Sequence, residues 1–143
     1  MEDTFVQFKP IFLLVGLLIY CLAACTSVQV DLSNPEIVCQ EFMQNQANGN
    51  RRVINSMVTK ELRNKLQEQK LYLYDREKIR RGSLDEKEIR IAWDEVDKKV
   101  YQLNYTVKYT IGQERKKLRL KEAISLIKTK DKWYIDDYVP DLK

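Results

Sequence analysis

The chain contains no histidine among its 143 residues. This absence excludes catalytic triads with a histidine base, histidine-ligated metal centres and histidine-based pH switching. Glycine and proline are also scarce, with 4 and 3 residues. No glycine-rich phosphate loop, nucleophile elbow or internal repeat is present in the sequence. With no catalytic motif and no metal-ligand cluster in the sequence, we expect a protein that is not an enzyme and binds no metal.

Long apolar runs are rare as well. The chain has one of note, residues 11–24, and its last three residues begin the sequence Leu22-Ala23-Ala24-Cys25. Its 14 residues are fewer than the roughly 20 that span a bilayer core as a helix. The run therefore fits a cleaved signal peptide better than a permanent anchor. The segment before it carries Glu2 and Asp3 against Lys9 and is less cationic than is usual for a signal peptide. An uncleaved anchor and a buried N-terminal helix are the alternatives.

The sequence Leu22-Ala23-Ala24-Cys25 resembles the lipobox of bacterial lipoproteins. In that family a peptidase cuts before the cysteine, which carries a diacylglycerol and usually an N-acyl chain such as palmitate. The resemblance implies a signal peptide over residues 1–24, a lipid-anchored tether over residues 25–33, and these lipids on Cys25 with no other cofactor. It also implies a cell-envelope location on a bacterial membrane, facing the periplasm or the exterior. In a host with two membranes, this would be the outer membrane.

The part that cleavage would leave, residues 25–143, has 119 residues, the size of one domain. It holds 24 Lys and Arg against 19 Asp and Glu, a positive balance too small to indicate nucleic-acid binding. With Cys25 acylated, Cys39 has no cysteine to pair with, so no intramolecular disulfide is expected. We expect Cys39 to be a small buried apolar residue. Residues 34–143 should then form a single domain around an apolar core.

The first half of this domain shows helical periodicity. Ser33 and Asn34 are candidate N-caps for a first helix that begins at Pro35, and Gly49 is a candidate C-cap. A second helical stretch covers about residues 51–69.

Two features interrupt the helical pattern. Thr59 could cap a new helix and so divide the second helical stretch in two. Residues 75–87 are highly charged and contain Arg81-Gly82-Ser83, which predicts a loop or a frayed helix end.

From Glu88 onward the apolar period changes to two, which is typical of strands with one buried face. The pattern predicts four strands. In the first, Ile89, Ile91 and Trp93 share a face. The second runs from Tyr101 to Tyr109, the third from Leu118 to Leu126, and the last begins at Trp133. Short turns between them indicate an antiparallel meander whose apolar face needs a cover. The predicted fold class is therefore α+β, with N-terminal helices packed on a curved antiparallel four-stranded meander.

This order of elements resembles the nuclear transport factor 2-like superfamily, also called cystatin-like. The similarity covers about residues 34–139 and rests on residues 38–42, Asn48-Gly49-Asn50, residues 57–62 and residues 132–135. It implies a strongly bent antiparallel sheet that forms a cone with the helices. The superfamily includes small-molecule isomerases and dehydratases, non-enzymatic ligand binders and assembly domains, so the fold alone does not select a function.

Glu122 is the candidate for a polar site inside the domain. It falls in phase with the apolar positions of the third strand, so alternation places it on the buried face. A buried carboxyl group has a raised pKa and can act as a general base, with hydroxyl donors from Tyr101, Tyr105 and Tyr109. One alternative is a β-bulge at Glu122-Ala123 that turns the carboxylate to solvent. Another is a structural pair with a lysine or arginine.

A second candidate site is basic. Lys117, Arg119 and Lys121 alternate onto the outward face of the third strand, and Lys108 lies on the neighbouring strand. These cations could contact anionic lipid headgroups or an acidic protein partner. The alternative is a solubilising face, with lysines that protect a sheet edge.

Two classes of function follow. The first is a non-enzymatic envelope lipoprotein whose domain is a binding or assembly module for a protein partner or a small ligand. The second is a cone-fold enzyme for small molecules, or a lipid or ligand carrier, with a pocket that contains Glu122. A deep cavity at Glu122 would favour the second class, whereas a collapsed aromatic core would favour the first.

Overall fold

The computed structural model describes residues 29–142. The predicted signal peptide and the predicted lipidation of Cys25 lie outside the described residues.

Within residues 29–142 the chain forms three helices, a short fourth helical turn and four strands. The helices are α1 (Pro35–Asn48), α2 (Arg51–Met57), α3 (Lys60–Glu68) and α4 (Leu73–Glu77), and the strands are β1 (Gly82–Asp94), β2 (Lys98–Ile111), β3 (Glu114–Thr129) and β4 (Lys132–Val139). All neighbouring strands are antiparallel, in the order β1-β2-β3-β4. The sheet is open, with β1 and β4 at its edges. The predicted α+β class and antiparallel meander are confirmed.

Polar caps set the helix boundaries much as predicted. The side chain of Asn34 accepts two backbone N–H groups of the first turn of α1, at 2.9 and 3.4 Å. Ser33 does not cap the helix, because its side chain bonds to Asp31. Gly49 ends α1 in the left-handed conformation, with φ 75°. The hydroxyl of Thr59 accepts a backbone N–H at 3.3 Å and begins α3, so the predicted division of the second helical stretch is confirmed.

The charged segment 75–87, predicted as a loop or a frayed helix end, is a loop only over residues 78–81. It contributes to α4, and β1 begins at Gly82 rather than near Glu88. Leu84 pairs with Val107 of β2 and belongs to the buried face, while the acidic residues after it fall at a register shift. Pairing along the full length of β2 therefore overrides the local composition.

A second register shift, between Ile91 and Trp93, changes the face of the last residues of β1. Ile91 lies opposite Tyr101 on the inner face, whereas Trp93 lies opposite Val100 on the outer face. The prediction that Trp93 shares a face with Ile91 is therefore wrong, because one extra residue at a bulge reverses the alternation.

The inner face of the sheet packs against the helices, and the core is continuous between the two layers. Cys39 of α1 is fully buried in it, as predicted. Burial raises the pKa of its thiol to about 12, with a smaller contribution from the charge of Glu36. The outer face carries the polar and charged positions of β2 and β3.

Candidate functional site

Glu122 lies on β3, directly opposite Leu103 of β2, and its exposed fraction is 0%. The pairing of β2 with β3 runs through this position without a register shift. The inward orientation predicted from alternation is thus confirmed, and the proposed bulge at Glu122-Ala123 is wrong.

Three donors surround the Glu122 carboxylate. The hydroxyl of Tyr105 donates to Oε2 at 2.7 Å, and the hydroxyl of Tyr138 donates to Oε1 at 2.6 Å. Arg76 donates from Nη2 to Oε1 at 2.9 Å. A carboxylate that accepts only, with one charged donor, is arranged as the ionised form.

Arg76 is itself held from several directions. Its Nε donates to the backbone oxygen of Leu71 at 3.1 Å, and its Nη2 also donates to the hydroxyl of Tyr138 at 2.8 Å. Its Nη1 pairs with Asp141 at 3.3 Å. The side chain is only 12% exposed. The helical turn α4 and the C-terminal segment together close the network from outside.

The pKa values follow from this burial. Burial raises the pKa of Glu122, while the hydrogen bonds from Tyr138 and Tyr105 and the charge of Arg76 oppose the rise. Burial and the charge of Glu122 raise the pKa of Tyr105 and of Tyr138 well above the usual value, so both remain protonated donors. Burial acts to lower the pKa of Arg76, but Tyr138, Glu122 and Asp141 outweigh it and the pKa is raised. The cluster is a buried ion pair with two tyrosine hydroxyls bound to its carboxylate.

Of the three tyrosines predicted to serve Glu122, one does so. Tyr105 hydrogen-bonds to it directly, whereas Tyr101 shares the inner face and packs into the core without a hydrogen bond to Glu122. Burial raises the pKa of Tyr101 to about 12. Tyr109 is half-buried near the other end of β2, opposite Gly82.

Sequence reasoning did not place Arg76 or Tyr138 in the site. Arg76 is 46 residues from Glu122 along the chain and lies in the segment predicted to be a loop or a frayed helix end. Tyr138 had an available signal: in the β3–β4 hairpin it pairs with Ile124, diagonal to Glu122.

Three surface depressions of the described domain lie away from Glu122. Their volumes are ≈ 530, 980 and 580 Å³, and residues other than Glu122 line them. The first is a polar groove on the outer face of the sheet. Its lining comprises Glu88, Arg90, Gln102, Asn104, Arg119, Leu120 and Lys121.

The predicted basic residues do face outward. Lys108 lies opposite Lys117, and both pair with Asp85, at 2.7 and 3.4 Å. The hydrogen bond from Lys108 and the nearby Lys117 lower the pKa of Asp85. Within residues 29–142 neither Arg119 nor Lys121 forms an ion pair, and both line the outer groove. The basic set therefore divides into two lysines that share one aspartate and two cations without an ion pair among the described residues.

Across residues 29–142 we find no group of three or more cysteine, aspartate and glutamate side chains that could hold a metal ion. In the same part of the chain, none of the helices has the length and apolar character needed to cross a membrane. In comparisons with known proteins, the chain matches no protein-family model and no curated protein.

Proposed function

We propose that this chain is a lipid-anchored protein of the bacterial cell envelope whose folded domain is a non-enzymatic binding module for a protein partner. The lipid on Cys25 would hold it to the membrane. We also assign the domain to the nuclear transport factor 2-like superfamily. The helices that precede and cover one face of an open four-stranded meander support this assignment.

The proposal rests on two features: the Glu122 cluster is enclosed in the core, and the groove on the outer face of the sheet is open to solvent. Both oxygens of Glu122 are already engaged by Tyr105, Tyr138 and Arg76, and the residue has no exposed surface. A general base must come within about 2.6–3.2 Å of a substrate proton. The filled shell around Glu122 leaves no such approach and supports a structural role. A pocket enzyme or carrier built on Glu122 would first have to displace Arg76.

The outer groove is the surface we assign to the partner. Gln102 and Asn104 offer hydrogen-bonding groups there, and Arg119 and Lys121 offer charges that form no ion pair in the described domain. Glu88, the acidic residue of the lining, pairs with Arg90. Such a surface fits an acidic protein segment, since charge complementarity selects the partner and speeds association.

In vivo photocrosslinking from Asn104, on the outer face, would test the assignment. A crosslinked partner should disappear when Arg119→Glu and Lys121→Glu are combined, because the reversed charges repel an acidic segment. Lys130→Glu with Lys132→Glu is the matched control at the other end of β3 and should leave the crosslink intact. Glu122→Gln, compared at a temperature at which the variant remains folded, should leave it intact as well. Crosslinks that survive the groove variant would contradict the assignment.

Cell fractionation tests the lipid anchor separately. Wild-type protein should fractionate with membranes, and Cys25→Ser protein should not. Unchanged fractionation of the serine variant would contradict the anchor without bearing on the groove.

A further inference from the structure

Large exposed apolar side chains concentrate at one end of β1. Within the described residues the exposed set is Ile91, Trp93, Val96, Ile111 and Val139. Three of these lie within six residues at the β1–β2 hairpin, and we call Ile91, Trp93 and Val96 the hairpin patch; their exposed fractions are 50%, 56% and 82%. Because the bulge places Ile91 and Trp93 on opposite faces, the patch surrounds the tip of the hairpin rather than one face of the sheet.

The hairpin tip lies at the same end of the sheet as the N-terminal segment. The backbone N–H of Lys128 on β3 donates to the oxygen of Asp97 in the hairpin turn at 2.9 Å, and Lys128 pairs with Trp133 of β4. The N–H of Trp133 donates in turn to the oxygen of Leu32 at 2.8 Å. At about 4.8 Å per strand spacing, the tip and Leu32 are roughly 15 Å apart.

This segment also fixes how far the domain can lie from Cys25. Val30 and Leu32, in the region predicted to be tether, pack against the core. Four residue steps separate Cys25 from Gln29, a reach of at most roughly 14 Å. The end of the sheet that holds Leu32 must therefore stay close to any bilayer that holds a lipid on Cys25.

The predicted basic residues lie toward the opposite end. Lys117 precedes Thr129 on β3 by twelve residues, about 40 Å along the strand, and Lys121 precedes it by eight, about 26 Å. Near the hairpin patch, residues 94–99 and 128–132 carry five lysines and four acidic residues. Charge thus gives little attraction at the anchored end, and the apolar side chains must supply the contact.

We propose that the hairpin patch inserts into the interfacial layer of the bilayer that anchors Cys25. Trp93 would lie at headgroup level, where tryptophan is favoured, and Val96 would lie against the acyl boundary, as apolar side chains of interfacial segments do. This inference rests on the lipid anchor of the proposed function. It assigns the membrane contact to an apolar tip and leaves the basic outer face free for a protein partner.

The test uses the full lipidated chain, purified and reconstituted into phosphatidylcholine vesicles with and without acyl-brominated lipid, which quenches nearby indoles. Since an indole at headgroup level lies near the acyl boundary, we expect Trp93 emission to fall roughly two-fold. Trp133 is only 4% exposed and lies in the core, so Trp93→Phe should abolish most of the quenching. High salt should not change it.

Val96→Asp is the diagnostic variant, and Ile111→Asp is its matched control. Both residues are exposed β-branched side chains in hairpins, but they lie at opposite ends of the sheet. Quenching should weaken with Val96→Asp and persist with Ile111→Asp. Equal quenching in both variants, or none in the wild type, would overturn the inference. The mass of the N-terminal peptide separates the cases: an unacylated Cys25 would overturn the anchor as well, whereas an acylated Cys25 with unquenched Trp93 would overturn this inference alone.

Discussion

Tyr138 of β4 donates a hydrogen bond to Glu122 of β3 at 2.6 Å, and the same hydroxyl accepts one from Arg76 at 2.8 Å. Tyr138 therefore connects the two charges as well as contacting each. The ring of Phe42 packs edge-on against Tyr138 with centroids 5.3 Å apart, which ties the network to α1. A polar cluster this enclosed stabilises one arrangement of β3, β4 and α4, because any other arrangement would leave a buried charge unpaired.

Glu122→Gln should destabilise the domain substantially. The substitution keeps the shape, but its amide NH2 replaces one of the two carboxylate oxygens that accept from Tyr105, Tyr138 and Arg76, and Arg76 keeps only Asp141 as an acidic partner. Loss of one partner of a buried ion pair costs about 3–5 kcal/mol, and we expect about 2–4 kcal/mol because Arg76 keeps some exposure. Urea unfolding measures the change. Glu114→Gln, at a glutamate whose side chain is 78% exposed, should stay within about 0.5 kcal/mol; similar losses in both would contradict a buried pair.

Tyr105→Phe isolates one hydrogen bond of the network. It removes the donor to Oε2 of Glu122 and leaves that oxygen without a partner, which should cost about 1–3 kcal/mol. Tyr101→Phe is the matched control, since Tyr101 lies on the same face but makes no bond to Glu122. A double-mutant cycle with Glu122→Gln should give a coupling energy of at least about 0.5 kcal/mol for Tyr105. Additive losses at Tyr105, or equal coupling at Tyr101, would refute the assignment.

The titration of Glu122 should contribute to the pH dependence of the free energy of unfolding. Its folded pKa is raised above the unfolded value, so the folded state binds this proton more tightly. Its contribution to stability is therefore fully present below the unfolded pKa, near 4.5, and is lost as pH rises through the folded pKa. The stability advantage of wild type over Glu122→Gln should grow as pH falls from 7 toward 4.5.

The test compares the stability of wild type with that of Glu122→Gln, because the contribution of Asp137 to stability has the opposite pH dependence. Burial acts to raise its pKa, but the Lys65 hydrogen bond and other contacts lower it, so its stabilisation is lost as pH falls. That loss is common to both proteins and cancels. Urea midpoints at several pH values provide the measurement, and a difference that shrinks toward pH 4.5 would contradict a raised pKa for Glu122.

The sequence predicts local features of this fold better than long-range ones. Alternation places Glu122 inside, and the polar caps at Asn34 and Thr59 mark real helix starts, because these signals depend on near neighbours. The start of β1 could not be predicted, since its charged residues become a strand only through pairing with β2. The role of Arg76 could not be predicted for a similar reason. Tertiary packing brings Glu122 to it, and no spacing in the sequence indicates that contact.

Gly82 is closely packed in the structure, although the sequence predicts a loop there, and its substitution tests that packing. The local composition indicates a loop, yet Gly82 lies where β1 meets α1. A Cβ there would meet Val107 Cγ1 at 2.5 Å and the backbone oxygen of Ala47 at 2.7 Å. Gly82→Ala must therefore displace β1 from α1, and overpacking of this kind should cost about 2 kcal/mol or more.

Gly112→Ala separates this steric effect from backbone strain. Gly112 has φ +60°, but a Cβ added there would meet no atom within 4 Å. Its alanine variant should therefore lose only about 1 kcal/mol, the cost of the left-handed conformation. Urea unfolding of the two variants compares them directly. The loss at Gly82 should be the larger, because the obstructing oxygen of Ala47 belongs to the backbone and cannot rotate away. Equal losses, or a smaller loss at Gly82, would contradict the close packing of β1 on α1.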